Sequence, residues 1–312
     1  MQLSTIGLAE EYRLTPEPAF LTDDSGEILR FAVEALACGM EAALVTLVEI
    51  RGGAARPLGV QMTVREDGQY CGFVSGGCVE AAVAHEALQV IATGQDRSVQ
   101  YGAGSPWFDI ALPCGGGITL SIHKLRSAQP LLAVLNCLEQ RRPVGLRYTP
   151  QSQTLQTLNT VPKTGWHHQG FETAYRPCVR AIVYGRSIEA LATADLARAA
   201  GYETHVFDTF SAQSAALMDA DTAVILLWHD LNRELPALQL ALKANPFYIG
   251  TLGSQRTHCQ RMQKLSELGW REDEINRIKA PIGLFPKARD ARSLALSVLA
   301  DVAAARLTNG ER

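Results

Sequence analysis

Polar and apolar positions along this chain repeat with two periods, and the way the two are combined changes about half-way. Residues 27–38 repeat apolar side chains at helical spacing behind the capping stretch Thr22-Asp23-Asp24-Ser25-Gly26, which predicts a helix. A β-rich run at 42–50 predicts a strand. Runs at 60–64 and 70–74 flank the turn Glu66-Asp67-Gly68 and read as a hairpin. Residues 78–88 return to helical spacing, with few breakers before Gly94. Strands follow near 98–101 and 118–122, then a helix at 129–139 and strands near 144–148 and 154–158. From 179 onward strands and helices largely alternate. The strands are 179–184, 204–207, 223–228 and 247–251. The helices are 188–200, 235–243 and 257–268, and an amphipathic helix at 292–306 closes the chain. The pattern predicts an α/β protein: an N-terminal α+β domain over 1–176, then a Rossmann-like domain over 177–312 with a mainly parallel sheet.

Composition narrows the function. The chain has 312 residues, ample for two cores, and a net charge of −3 that gives no support for nucleic acid as a partner. Its seven cysteines are scattered without a Cys-x-x-Cys pair, which predicts reduced thiols in a cytosolic protein. The first eighteen residues carry Glu10 and Glu11 and lack the layout of a signal peptide, and no apolar run is long enough for a bilayer. The expectation is a cytoplasmic protein without membrane partners.

Candidate chemistry lies on glycine turns. In Ser75-Gly76-Gly77-Cys78-Val79-Glu80 a thiol stands where a strand gives way to a helix. Placed in the first helical turn, Cys78 would favour the thiolate, and Gly76 and Gly77 would let an anion or soft metal approach the backbone. The alternative is a small buried hydrophobe. In Pro113-Cys114-Gly115-Gly116-Gly117, three glycines behind a second thiol permit an anion-binding nest, or merely a flexible turn. The loop from Arg51 to Gly59, with Arg56, either wraps an anion or is a solvated connector. Adjacent His167 and His168 offer only two of the four ligands of a zinc site.

In the second half, Gly185-Arg186-Ser187-Ile188-Glu189-Ala190 occupies the place of a dinucleotide fingerprint, with Asp208 at the acidic position after the next strand. Ser187 replaces the glycine that admits a pyrophosphate, which argues against NAD(P). Gly185, Asp208, His229, Gly250, Gly253, Ser254 and Arg256 fall at the carboxyl ends of predicted strands, where ligands sit in open α/β sheets. Arg256, in a first helical turn, adds a charged fork to helix-terminal N–H groups, a phosphate-type site.

Several of these segments resemble the XdhC/CoxI family: Leu58-Gly59-Val60-Gln61-Met62, Ser75 to Glu80, Leu112-Pro113-Cys114-Gly115-Gly116, the run from Phe247 to Thr257, and Pro281-Ile282-Gly283-Leu284. The resemblance runs from about 42 to 307. It departs at Gly53-Ala54-Ala55-Arg56, where only the arginine of the family's Ser-Thr-Pro-Arg is kept, at Ser187, and at Thr209-Phe210. It implies a non-catalytic cytoplasmic chaperone, a homodimer in the family's manner, for molybdenum hydroxylases such as xanthine dehydrogenase. Such a protein binds the molybdenum cofactor in its molybdopterin form as cargo, protects it during sulfuration by a cysteine desulfurase, and hands it to the apo-enzyme. Cys78 and Cys114 would then meet the metal or sulfur, and Arg256 with the strand-end glycines would hold the phosphate. The rival readings are an NAD(P)-dependent oxidoreductase with His229 facing the nicotinamide, and a thiol–disulfide pair of Cys78 with Cys114.

Overall fold

A computed structural model describes residues 15–105, 112, 115–285 and 288–310. The chain divides into two compact units, one running to Tyr175 and the other starting at Arg176. The first unit begins with β1 (Glu17–Pro18), α1 (Ser25–Ala37), β2 (Ala42–Arg51), β3 (Gln61–Arg65) and β4 (Gln69–Gly72). It continues with α2 (Glu80–Thr93), β5 (Arg97–Gly102), β6 (Gly117–Lys124) and α3 (Gln129–Glu139). The six strands form one sheet in the order β1-β4-β3-β2-β6-β5, antiparallel except where β1 meets β4. Helix α1 starts where the sequence says it should, because the Asp24 carboxylate accepts from the N–H of Glu27 at 2.8 Å. Strand β2 lies inside the sheet and is buried on both faces, which explains its unbroken apolar run. Val45 and Leu47 pack in the core that holds Val83 and Ala87 of α2, and Leu44 in the core that holds α1 and α3.

Strands β7 (Val144–Thr149), β8 (Thr154–Leu158), β9 (Gly165–His167) and β10 (Gly170–Tyr175) form a second antiparallel sheet, in the order β8-β7-β10-β9. Around His167 and His168 the chain forms β9 and the turn into β10. One anchor is long-range and the other local. Trp166 Nε1 donates to the Val48 carbonyl at 3.1 Å, beside a bulge between β2 and β6, and His167 Nε2 lies 2.7 Å from the Lys163 carbonyl oxygen. No group of three or more potential metal ligands gathers among the described residues.

The second unit contains β11 (Arg180–Tyr184), α4 (Ile188–Ala199), β12 (Glu203–Phe207), α5 (Ala212–Ala216) and β13 (Thr222–Leu226). It continues with α6 (Leu231–Ala244), β14 (Tyr248–Thr251), α7 (Gln255–Glu267), α8 (Glu272–Ile275), β15 (Ile278–Lys279) and α9 (Ala291–Gly310). Its five strands are all parallel, in the order β12-β11-β13-β14-β15. Alternate residues of each strand enter two cores, Ile182, Val224 and Ile249 on one face and Val183, Ile225 and Tyr248 on the other, so both faces are covered and the strands read as continuous apolar runs. The winding reverses between β11 and β13, which opens a crevice at the carboxyl ends of the strands. Helix α6 begins four residues before the predicted 235, because Asp230 caps it by accepting from the N–H of Asn232 at 2.9 Å.

Candidate functional site

The turn between β4 and α2 is built around an anion of its own. Gly76 and Gly77 take φ values of +90° and +109°, conformations open to glycine, and the chain curls so that its N–H groups point inward. Into that ring folds the Glu80 carboxylate. Its Oε1 accepts from the N–H groups of Val74 at 3.0 Å, Ser75 at 2.8 Å and Gly76 at 3.1 Å. Its Oε2 accepts from those of Gly77 at 2.9 Å and Val79 at 3.2 Å, and from the Ser75 hydroxyl at 2.8 Å. Burial pushes the Glu80 carboxyl up, but the hydrogen bonds, led by those from Ser75, outweigh it and hold the group below its ordinary value. The expectation that Gly76 and Gly77 hold an outside anion is therefore corrected: their N–H groups are already taken.

Cys78 is corrected in position as well. Helix α2 starts at Glu80 with Val79 as its N-cap, so Cys78 stands just outside the helix rather than in its first turn. It is exposed, not a buried hydrophobe. Its own N–H donates to the Ser75 hydroxyl at 3.1 Å, which leaves the thiol to face a cavity of about 260 Å³. Ala54, Ala55, Val74, Leu112 and Ile118 line that cavity together with Ser75 and Cys78. Five apolar side chains and one thiol suit an apolar or sulfur-bearing ligand end better than a bare anion.

The glycine run after position 114 serves the cavity's frame. A Cβ on Gly116 would stand 1.9 Å from the Gly53 carbonyl oxygen, and one on Gly117 would stand 2.1 Å from that of Ala103. Three backbone segments thus touch where no side chain fits. Arg51 locks them, donating to the Ala103 carbonyl at 3.0 Å and to that of Ile118 at 3.3 Å. The N–H of Gly115 is not open as part of a nest, because it donates to the Leu112 carbonyl at 2.9 Å. Cys114 lies outside the described residues. Arg56 belongs to the same loop as Ala54 and Ala55; its guanidinium pairs with Asp23 at 3.2 Å and lies 6.0 Å from the Phe73 ring centre.

In the second unit the residues expected at strand ends are there, but several are already engaged. Asp208, just past β12, pairs with Arg186 at 2.9 Å and Arg233 at 3.5 Å. Gly185 follows β11 and donates its N–H to the Phe207 carbonyl at 3.0 Å. Ser187 caps α4, and its hydroxyl accepts from Ala190 at 3.4 Å. Hydrogen bonds from Ser187 and its own N–H hold Glu189, in the same first turn, below the ordinary carboxylate value. Ser254 caps α7, accepting from Thr257 at 3.3 Å, and Arg256 is exposed in that helix's first turn. Of the residues expected in the first unit, Cys78 lines the cavity, whereas Gly76 and Gly77 lie in the same turn, Arg56 follows Ala55, and Gly115 and Gly116 lie between Leu112 and Ile118 without lining it. The structure sets Gly185, Asp208, Gly253, Ser254 and Arg256 on the carboxyl-end rim of the second.

Sequence reasoning missed two features. One is Glu80, which reads as an ordinary helix-start acid; its signal is a carboxylate directly behind a glycine turn. The other is the Glu234–Arg261 pair, whose side chains are 2 % and 0 % exposed and 2.8 Å apart. Each sits one helical turn before a core leucine, Leu238 and Leu265, so a charge on an apolar stripe was the available signal.

Comparison with known proteins decides the family. Residues 35–102 match the model of the XdhC and CoxI family, and residues 181–302 match that of the XdhC Rossmann domain. A protein of Escherichia coli (strain K12) named molybdenum cofactor insertion chaperone PaoD is 68 % identical over 302 residues, covering 97 % of this chain and 95 % of that protein. This chain belongs to the XdhC and CoxI family. A second E. coli relative of this XdhC and CoxI protein, the uncharacterized YqeB, is 26 % identical over 83 % of the chain but only 42 % of its own length. A crystal structure described as a xanthine dehydrogenase from Bacillus halodurans shares the fold, with a TM-score of 0.67 over 90 % of this chain and 96 % of that one at 20 % identity.

Proposed function

We propose that this protein is a chaperone for the molybdenum cofactor, supporting its sulfuration and inserting it into a molybdenum hydroxylase of the xanthine dehydrogenase or aldehyde oxidoreductase type. The observation that carries this reading is the 68 % identity, over nearly the whole of both chains, to a protein named for that insertion. The first unit's cavity fits the cargo's chemistry. About 260 Å³ is below the ~300–1,000 Å³ of sites that enclose a whole small molecule, so it receives one end of the cofactor. Cys78 is the soft donor placed to meet the sulfur- and metal-bearing end, and Cys114 lies in the neighbouring glycine run. The remaining partners in this reading are a cysteine desulfurase, the apo-hydroxylase and a second copy of the chain, in the cytoplasm.

The test is to purify the protein from molybdate-fed cells and measure pterin and molybdenum in it, for the natural chain and for Cys78→Ser and Cys114→Ser. The expected result is a pterin–metal content that falls several-fold in Cys78→Ser, with weaker activation of the client enzyme. Cofactor-free natural protein would overturn the cargo role; unchanged loading and activation in both variants would overturn the thiols' part in it.

A further inference from the structure

The second unit holds a set of buried polar atoms that its own chain leaves unanswered. They gather where β13 and β14 end against α6 and α7. Thr251 pairs with Leu226 across those strands, and the N–H of Leu252 donates to the Leu226 carbonyl at 3.0 Å. Trp228 follows two residues later on the same face, in the core that contains Leu226, Ile249, Leu238 and Leu265. Arg261 closes the group from α7. Its Nε and Nη2 both go to Glu234 Oε2, at 2.9 and 2.8 Å, and Nη2 also donates to the Leu252 carbonyl at 2.9 Å.

That leaves Arg261 Nη1, Trp228 Nε1 and Thr251 Oγ1 without a hydrogen-bond partner among the described residues. The three residues are 0 %, 6 % and 0 % exposed. His258 Nδ1, one turn before Arg261, is in the same condition. Burial, then the Arg261 charge, pushes that imidazole down. An indole and a guanidinium can only donate, so the partner they lack is an acceptor. Leaving such donors bare costs folding free energy, and native chains seldom do so without a role for the site. A Cβ on Gly253 would stand 3.2 Å from the Thr257 side chain, so the glycine lets the first turn of α7 close on the strand end beside these groups.

We infer that the carboxyl ends of β13 and β14 form a phosphate-binding site, in which Arg261, Trp228 and Thr251 surround one tetrahedral oxyanion and Glu234 fixes the arginine. Donors from two strand ends and one helix suit three oxygens better than the planar pair of a carboxylate. The predicted grip on Gly253, Ser254 and Arg256 would then be the rim of a deeper site. This inference does not depend on the cargo reading and survives its failure.

The experiment uses the full chain labelled with 15N-tryptophan, which gives four indole N–H signals, one per tryptophan. Trp228→Phe assigns the signal of Trp228. Titration with inorganic phosphate, against chloride at equal ionic strength, should move that signal saturably. Equilibrium dialysis with radiolabelled phosphate should show binding weakened about tenfold in Trp228→Phe and in Thr251→Val, each of which loses one hydrogen bond to a charged group. Thr251→Val keeps the side chain's shape and Trp228→Phe leaves a small cavity, so loss of binding in both with an unchanged circular dichroism spectrum is not loss of folding. Methyl phosphate that competes with phosphate marks the ester end of a larger ligand; rejection of methyl phosphate marks a free ion. A Trp228 signal that stays still at saturating phosphate, or variants that bind as the natural chain does, would overturn the site.

Discussion

The Glu80 carboxylate shows how one side chain can settle a question that the backbone leaves open. Glycine turns with inward N–H groups are ready to take an anion, and here the chain supplies it from the next helical turn. Replacing Glu80 with Gln turns an amide N–H₂ toward donors and strands several of them, at about 1–3 kcal/mol for each buried donor left open. Denaturant unfolding of Glu80→Gln at pH 7 should therefore show a loss of several kcal/mol. The pH dependence follows from the same contacts. The folded-state value lies below the ordinary 4.5, so the stabilisation is fully present above that pH and drains away as pH falls through the lower folded value. The natural protein should lose stability in that acid range more steeply than Glu80→Gln. The thiols divide in the same local way. Burial pushes Cys71 up to about 12, whereas Cys78 stands exposed at the cavity. Alkylation at pH 8 followed by peptide mass spectrometry should label Cys78 at least tenfold faster than Cys71, since only a small thiolate fraction is available to the buried group.

Among elements, the decisive contacts are those between backbones. The glycines at 115–117 look alike in the sequence, yet they answer different needs. Gly115 takes a φ of +68° with open space around it, while Gly116 meets the Gly53 carbonyl. Gly115→Ala should cost ~1–2 kcal/mol for the left-handed backbone alone. Gly116→Ala forces two segments apart, should cost ~1–3 kcal/mol or more, and should disturb the cavity beside it. Thermal unfolding of the two variants distinguishes these roles. The α6–α7 pair offers a comparable contrast. Arg261→Met leaves Glu234 buried and uncompensated, and a loss of ~3–5 kcal/mol is expected. Adding Glu234→Leu should recover most of it in a double-mutant cycle, because removing both charges removes the desolvation penalty.

At the scale of the molecule, the two units divide the chemistry: an apolar, thiol-bearing cavity in the first and a polar strand-end crevice in the second. A nicotinamide enzyme would need the crevice to accept a pyrophosphate at α4, where Ser187 and Glu189 already fill the N-terminus; NADH added to the protein should leave its fluorescence unchanged. Ala55→Leu should narrow the first unit's cavity and lower cofactor loading without lowering the melting temperature, because Ala55 is exposed and makes no core contact of its own. The layered α/β plan, most strands and helices, and the exposed glycine turns were legible in the sequence, because period, capping residues and breakers act over a few neighbours. Strands β9 and β10 were not, since the Trp166 bond to Val48 joins residues more than a hundred apart. Nor could residue order reveal that Glu80 would fill the glycine turn, that Gly116 answers to Gly53, or that Trp228, Thr251 and Arg261 would each bury a polar atom without a partner among the described residues. Local pattern decides which segments form, because propensity and amphipathicity are properties of neighbours. Which polar groups find partners depends on distances between remote segments, and only the tertiary structure sets those.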